Sequence, residues 1–499
     1  MKSFPPVFRY SEGPAVSVPQ GTSSPLLDTR AERTSTAIPA EVVWLYLAVG
    51  SLLVSGLFAL MLVVGRMPVI SGWITDPGFF RRCLVLHVNL SLLVWFSAFT
   101  AGLFALLPGM KGKATFAGGA AALGAVAMAV SAFIPGSEPV LSNYIPFIDH
   151  PIFVGGLILF LAGVAWFYLG GLLPRSIRAD AQEKSLYVEA RPLTLPAECV
   201  PGVLAAGVLF LVAVTTFFAS WIATPTDLSP AIYYERIAWG GGHVLQVANV
   251  AAMVTVWLLL TAAVTGRRAV SPRISGTLFI LLAAPHLAGP LLTWNGTATP
   301  VYLTGFTRLM QFGIFPVVTV FLAVTAFKVV AARFRFPRET GFRMDYRTTG
   351  VLLSIILTIT GFILGAMIRG STTMIPAHYH AATGAVTVAF MAMLYLMMEK
   401  RAPASGIELI RKYAPWQLVL YGFGQWLFAL GFAVGGAFGL GRKEYGSEQV
   451  LYTTGEYIGA AIMGVGGLIA VAGGITFLVL AGKLLLWIRD GRSASNRSA

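Results

Sequence analysis

Apolar runs long enough to cross a bilayer recur along this chain, each closed by a short polar stretch. A helix needs about 20 such residues to span the hydrocarbon layer. The pattern predicts about twelve membrane helices. The first six cover Glu41–Arg66, Cys83–Leu107, Ala114–Ile134, Ile152–Leu173, Cys199–Trp221 and Ile237–Val264. The remaining six cover Ile274–Leu292, Leu309–Val330, Gly350–Ile368, Ile368–Met391, Trp416–Phe438 and Tyr457–Trp487. The expected fold class is an all-α polytopic membrane bundle occupying residues 41–488, followed by a short cytoplasmic tail at 489–499. Residues 1–40, rich in Ser, Pro and Thr and without an apolar core, lack the anatomy of a signal peptide. They are expected to form a disordered cytoplasmic tail. The most polar internal stretch, Pro174–Glu198, is too charged for lipid and reads as a cytoplasmic loop.

Composition agrees with this reading. Of 499 residues, 56% are hydrophobic and 11% charged, and the mean hydropathy is +0.76, outside the range of a soluble domain of this length. The net charge of +14 could suggest nucleic acid, but the Lys and Arg fall in short loops between apolar runs. They act as topology signals, so nucleic acid is not an expected partner. Basic residues after the fourth, sixth, eighth and tenth runs share one side with the C-terminal Arg489 and Arg492. By the positive-inside rule both termini are cytoplasmic, in a membrane of the bacterial inner type. Cys83 and Cys199 lie in separate runs with no C-x-x-C, which excludes a disulfide framework, a zinc knuckle and covalent c-type haem attachment within this chain.

The chemistry lies in the histidines. Ala377-His378-Tyr379-His380 places two imidazoles two positions apart on one apolar helix, turned about 200° from each other, so that one helix can serve two sites. His87, His243, His378 and His380 lie near the outer starts of the second, sixth and tenth helices, and His286 near the outer end of the seventh. Isolated core histidines would scatter in depth, whereas five at one level point to haem iron, copper or non-haem iron as ligated ions.

These features together resemble subunit I of the haem-copper oxidase superfamily, which includes the membrane nitric oxide reductases. The resemblance spans essentially all of Glu41–Trp487: twelve helices, histidines on the second, sixth, seventh and tenth, and the A-H-x-H signature. It implies that His87 and His380 ligate a low-spin haem and His378 a high-spin haem near the outer face. His243 in WGGGHVLQ and His286 in APHLAGP would hold the adjacent copper or non-haem iron, and Arg442 and Lys443 would meet haem propionates. The implied activity is that of a respiratory terminal reductase acting on nitric oxide or oxygen.

The chain also departs from that pattern. His286 is flanked by Pro285 and Leu287 where the family has paired histidines, so the resemblance leaves the second metal one ligand short. The tyrosine of oxygen-reducing members is absent from the sixth helix, where Val247 stands, and from the seventh. Gln246 and Asn249 are neutral groups and weak ligands. His150, beside Asp149, is open to roles as a replacement ligand, a proton carrier or a plain loop residue. The loop with Lys111 and Lys113 has no carboxylate, and the eighth helix offers only Thr319 and Thr325, so uptake of protons from the cytoplasm has no evident route. Glu235 and Glu456 could pass protons from outside. The expected function is therefore a non-pumping nitric oxide reductase. The alternatives are a divergent cbb-like cytochrome c oxidase and a non-catalytic haem conduit lacking the second metal. A donor subunit, a cytochrome c, a cupredoxin or quinol is expected to supply electrons, with membrane lipid around the bundle.

Overall fold

The computed structural model describes residues 38–64, 76, 78–110, 113–173, 193–335, 345–442 and 450–497. Residues 1–37 of the expected tail, residues 174–192 of the expected cytoplasmic loop, Lys111 and Lys443 lie outside the described residues. The protein is an integral membrane protein, and its described residues hold twelve helices long and apolar enough to cross a bilayer. They are α1 (Ala40–Leu62), α2 (Phe79–Phe104), α3 (Ala114–Ser131), α4 (Pro151–Leu172), α5 (Val200–Ala223) and α6 (Pro230–Thr265). The second half holds α7 (Pro272–Thr293), α8 (Pro300–Ala332), α9 (Tyr346–Ala366), α10 (Met374–Glu399), α11 (Ala404–Ala437) and α12 (Thr454–Arg489), the last continuing as helix to Arg497.

All twelve expected helices are present. α6, α8 and α11 start well before their apolar runs, at Pro230, Pro300 and Ala404 instead of Ile237, Leu309 and Trp416. Hydropathy sees only the lipid-buried part, whereas helix starts obey capping chemistry. Ser229-Pro230 and Thr299-Pro300 put proline at the first turn, where its missing N–H costs nothing, and Thr299 accepts a hydrogen bond from Tyr302 N. Thr453 and Glu456 likewise satisfy each other's backbone N–H groups at the start of α12. Glu456, expected as a possible proton carrier, is thus a helix cap. His150 caps α4, its Nδ1 accepting from Ile152 N.

Three helices are irregular where the sequence bears chemistry. α2 runs as a π-helix over Asn89–Val94, directly after His87. α7 tightens to a 3-10 helix over Ala284–Thr293, which holds Pro285, His286 and Pro290. α8 breaks between Gly313 and Phe315, one residue before Pro316.

α6 and α10 form the interior: 83% and 89% of their most apolar windows are buried, against 22% for α12. Trp166, Phe218, Phe312, Phe327 and Leu468 point outward, as suits a surface wetted by lipid. Phe99 of α2 stacks on Phe390 of α10 at 4.4 Å, and Trp257 of α6 reaches α10 through Ser354 of α9, which donates to Ala385 O. Between α3 and α4 the loop folds into a two-stranded antiparallel hairpin, β1 (Glu138–Val140) and β2 (Phe147–Asp149). Buried Arg82 of α2 holds this region, donating to Ala132 O and Ser137 O and pairing with Asp76. That hydrogen bond keeps the Asp76 carboxyl below the usual carboxylate range.

α11 and α12 meet backbone to backbone, because lipid tails give no hydrophobic drive between helices and close contact must supply the attraction. A Cβ on Gly431 would lie 2.3 Å from Met463 N, whereas one on Gly464 meets nothing within 4 Å. Gly431→Leu is therefore expected to destabilise the protein by about 1–3 kcal/mol, read as an earlier thermal transition in detergent. Gly464→Leu should leave the transition in place, and equal transitions for the two variants would contradict the close approach.

Candidate functional site

Four of the five expected histidines fall into two pairs in the bundle interior. His380 of α10 lies within electrostatic range of His87 of α2, and His243 of α6 within range of His286 of α7. His378 leaves α10 on a different side from His380 and meets α9. His243 and His286 are buried, with 3% and 1% exposure, while the other three are half-buried.

Four of these rings share one arrangement. Nδ1 of His87 bonds Ser55 O at 3.1 Å, and that of His243 bonds Trp239 O at 2.6 Å. Nδ1 of His286 bonds Leu282 O at 2.9 Å, and that of His378 bonds Gly361 O at 2.7 Å. A carbonyl can only accept, so each Nδ1 carries the proton and each Nε2 presents a bare lone pair. That is the tautomer of an imidazole waiting for a metal, with the second nitrogen fixed by a backbone carbonyl.

The lone pairs are not used elsewhere, with one exception. Among the described residues, His286 Nε2 is buried with no hydrogen-bond partner, and the Leu309 carbonyl lies in electrostatic reach but outside bonding geometry. Leaving such a group unsatisfied costs about 1–3 kcal/mol. No hydrogen bond among the described residues reaches Nε2 of His87 or His378, or either nitrogen of His380. The His380 ring is held by packing instead, parallel to Phe432 at 5.3 Å and edge-on to Phe428 at 4.8 Å. Glycines leave the space: a Cβ on Gly313 would stand 2.6 Å from His286 Cε1, and one on Gly365 2.8 Å from His378 Nδ1. The residues present therefore fit metal and haem ligation.

The exception is His243. Its Nε2 lies 2.9 Å from the hydroxyl of Tyr144, a residue of the β1–β2 hairpin that sequence reasoning did not single out. The Tyr144 hydroxyl also lies 3.9 Å from Met310 Sδ of α8. Position 247 of α6 is Val and α7 carries no tyrosine, as expected; the phenol arrives instead from a loop more than 90 positions upstream. Tyr144 is the lone non-glycine residue with positive φ among those described, at 65°, a conformation that costs about 1–3 kcal/mol and persists only where its surroundings impose it.

Those surroundings are specific. Asn143 donates its backbone N–H to Glu235 Oε2 at 2.7 Å and its side-chain amide to Glu235 Oε1, while Arg442 donates to Asn143 Oδ1. Ser142 Oγ closes the turn on Ile145 O at 2.6 Å. Gly242 has no side chain, and a Cβ there would lie 2.4 Å from that of Tyr144. Burial and then the Glu235 carboxylate raise the Tyr144 phenol well above its ordinary range, against an opposing pull from Arg442. The phenol is thus a neutral donor to Nε2.

The remaining candidates have other partners. Glu235 anchors the hairpin, Asp149 accepts from Tyr234, and Asn249 donates to Gln246 at the long distance of 3.5 Å. Arg442 sits beside the hairpin through Asn143, and Lys113 donates to Gly170 O. Among the described residues no group of three or more His, Cys, Asp and Glu side chains is placed to hold a metal.

The fold is that of a haem-copper terminal oxidase. A dimeric enzyme of that kind, solved by cryo-electron microscopy, superposes with a TM-score of 0.61 over 91% of this chain and 84% of its own, at 16% identity. In sequence, the chain is 26% identical over 77% of its length to an uncharacterized protein of Aquifex aeolicus (strain VF5), covering 90% of that protein. It is 24% identical over 89% of its length to an uncharacterized protein of Rickettsia prowazekii (strain Madrid E), covering 96% of it. No protein-family model matches the chain.

Removing Asn143 tests the hairpin anchor. Asn143→Ala deletes the side-chain links to Glu235 and Arg442, bonds to charged groups worth about 1.5–3 kcal/mol each. Amide exchange in residues 138–149 should accelerate at least about tenfold, with α10 unaffected. Unchanged exchange there would show that the hairpin is held by other contacts.

Proposed function

We propose that this protein is the haem-bearing catalytic subunit of a membrane terminal reductase of the respiratory type. The observation that carries the reading is the shared histidine tautomer. Four Nδ1–H groups are tied to backbone carbonyls, so each Nε2 keeps its lone pair, that of His243 facing the Tyr144 hydroxyl. In this reading His87 and His380 hold a low-spin haem, His378 a high-spin haem, and His243 with His286 a copper or non-haem iron. Bound there, these groups would supply one-electron transfer and a place for a diatomic gas to be reduced. The chain's own part is to orient the rings, exclude water through the apolar faces of α6 and α10, and keep the imidazoles neutral. Arg442, with Lys443, is assigned to haem propionates, and an external donor supplies electrons.

The charge distribution supports cytoplasmic termini in a membrane of the bacterial inner type, with the hairpin and the histidine level toward the outer face. Nitric oxide is the favoured substrate, two molecules being coupled to nitrous oxide without pumping. Support comes from the lack of a carboxylate route from the cytoplasmic side and from Glu235 beside the hairpin, which places an acid within two residues of the site lining. One observation favours oxygen as the second reading. The Tyr144 phenol beside His243 is the kind of group that can give up a hydrogen atom during O–O cleavage.

Purified protein should contain about two haems per chain, one low-spin and one high-spin. His87→Ala and His380→Ala should each abolish the low-spin spectrum, and His378→Ala the high-spin one. Consumption of nitric oxide and of oxygen by the reduced protein then selects the gas. Haem-free protein, or spectra indifferent to all three substitutions, would refute the reading.

A further inference from the structure

We infer that the phenol oxygen of Tyr144 is the third protein ligand of the metal held by His243 and His286. The inference rests on the reading of a second metal at that pair, and it is the same for either gas. The geometry is that of donors sharing one ion. Tyr144 Oη and His243 Nε2 are 2.9 Å apart, the spacing of two donors along one edge of a coordination sphere when each bond is about 2.0–2.2 Å. His286 lies within electrostatic range of His243 with its Nε2 buried and without a partner, and Met310 Sδ stands 3.9 Å from the phenol oxygen.

The hairpin is built to deliver this oxygen. A tyrosine held at φ 65°, gripped through Asn143 by Glu235 and Arg442 and seated against Gly242, is a side chain whose placement the fold enforces. A phenol that only filled space would need neither the left-handed backbone nor the glycine beneath it. Among the described residues no third His, Cys, Asp or Glu is available to the pair, and tyrosine supplies the donor that set lacks. On metal binding the phenol proton is released to solvent, and the Nε2 lone pair passes from accepting that proton to binding the ion.

The test uses the full-length purified protein, with haem and total metal measured separately. Wild-type protein should carry one iron or copper beyond the haem iron, with resonance-Raman bands of a metal phenolate that shift on ring deuteration of tyrosine. Tyr144→Phe should lose the additional metal at least tenfold while keeping its haems, and should lose those bands. A wild-type protein whose additional metal shows no phenolate bands overturns the inference without any variant being needed. If Tyr144→Phe keeps the metal while His286→Ala loses it, this inference fails and the metal reading stands. Wild-type protein with haems but no additional metal would overturn both.

Discussion

An imidazole inside a membrane bundle has two polar nitrogens and no water to satisfy them, so each must find a partner or be left costly. This constraint organises the interior of the protein. Backbone carbonyls one turn away, on Trp239 and Leu282, or across a helix interface, on Ser55 and Gly361, take the Nδ1 protons of four rings. A mid-helix carbonyl is already engaged by its own helix, so these are shared bonds, available only where a ring is pressed close. Glycine provides that closeness at Gly313 and Gly365, and the tightened turns of α7 serve the same end around His286. Of the opposite nitrogens, that of His243 faces the Tyr144 hydroxyl and that of His286 is buried without a hydrogen-bond partner.

Much of this was legible in the chain. Helix number followed from apolar run length, and the histidine spacing on α10 dictated that His378 and His380 serve different neighbours. His378 does reach α9 while His380 packs on α11. The helix starts at Pro230, Pro300 and Ala404 lie ahead of the apolar runs, because a first turn outside the apolar stretch carries no hydropathy signal. Glu456 and His150 looked like chemical candidates for a related reason: a capping residue is polar and near an apolar run, which is also the description of a membrane-facing acid or ligand. The structure separates the two by showing backbone N–H groups as partners.

Tyr144 was hidden for a different reason. A side chain that reaches a helix from a hairpin far upstream leaves no periodic trace, and its backbone conformation is unmarked by glycine. The one sign in the sequence is the triplet Gly240-Gly241-Gly242 before His243. Three consecutive glycines inside a membrane helix weaken it unless something large must approach. Phe306, Phe217 and Tyr144 are the rings that do so. The glycine run before His243 is therefore a statement about aromatic neighbours.

The π-turn of α2 joins the two histidine groups mechanically. The wider turn begins at Asn89, whose side-chain amide spans from its own helix at Val85 O to Pro146 O of the hairpin, at 2.9 and 2.7 Å. His87 thus sits two residues from a strut whose far end is two residues from Tyr144. By thermodynamic reciprocity, an event at either ring that shifts this strut changes the preference of the other by the same free energy. One side-chain amide thus ties the helix turn that follows His87 to the hairpin that carries Tyr144.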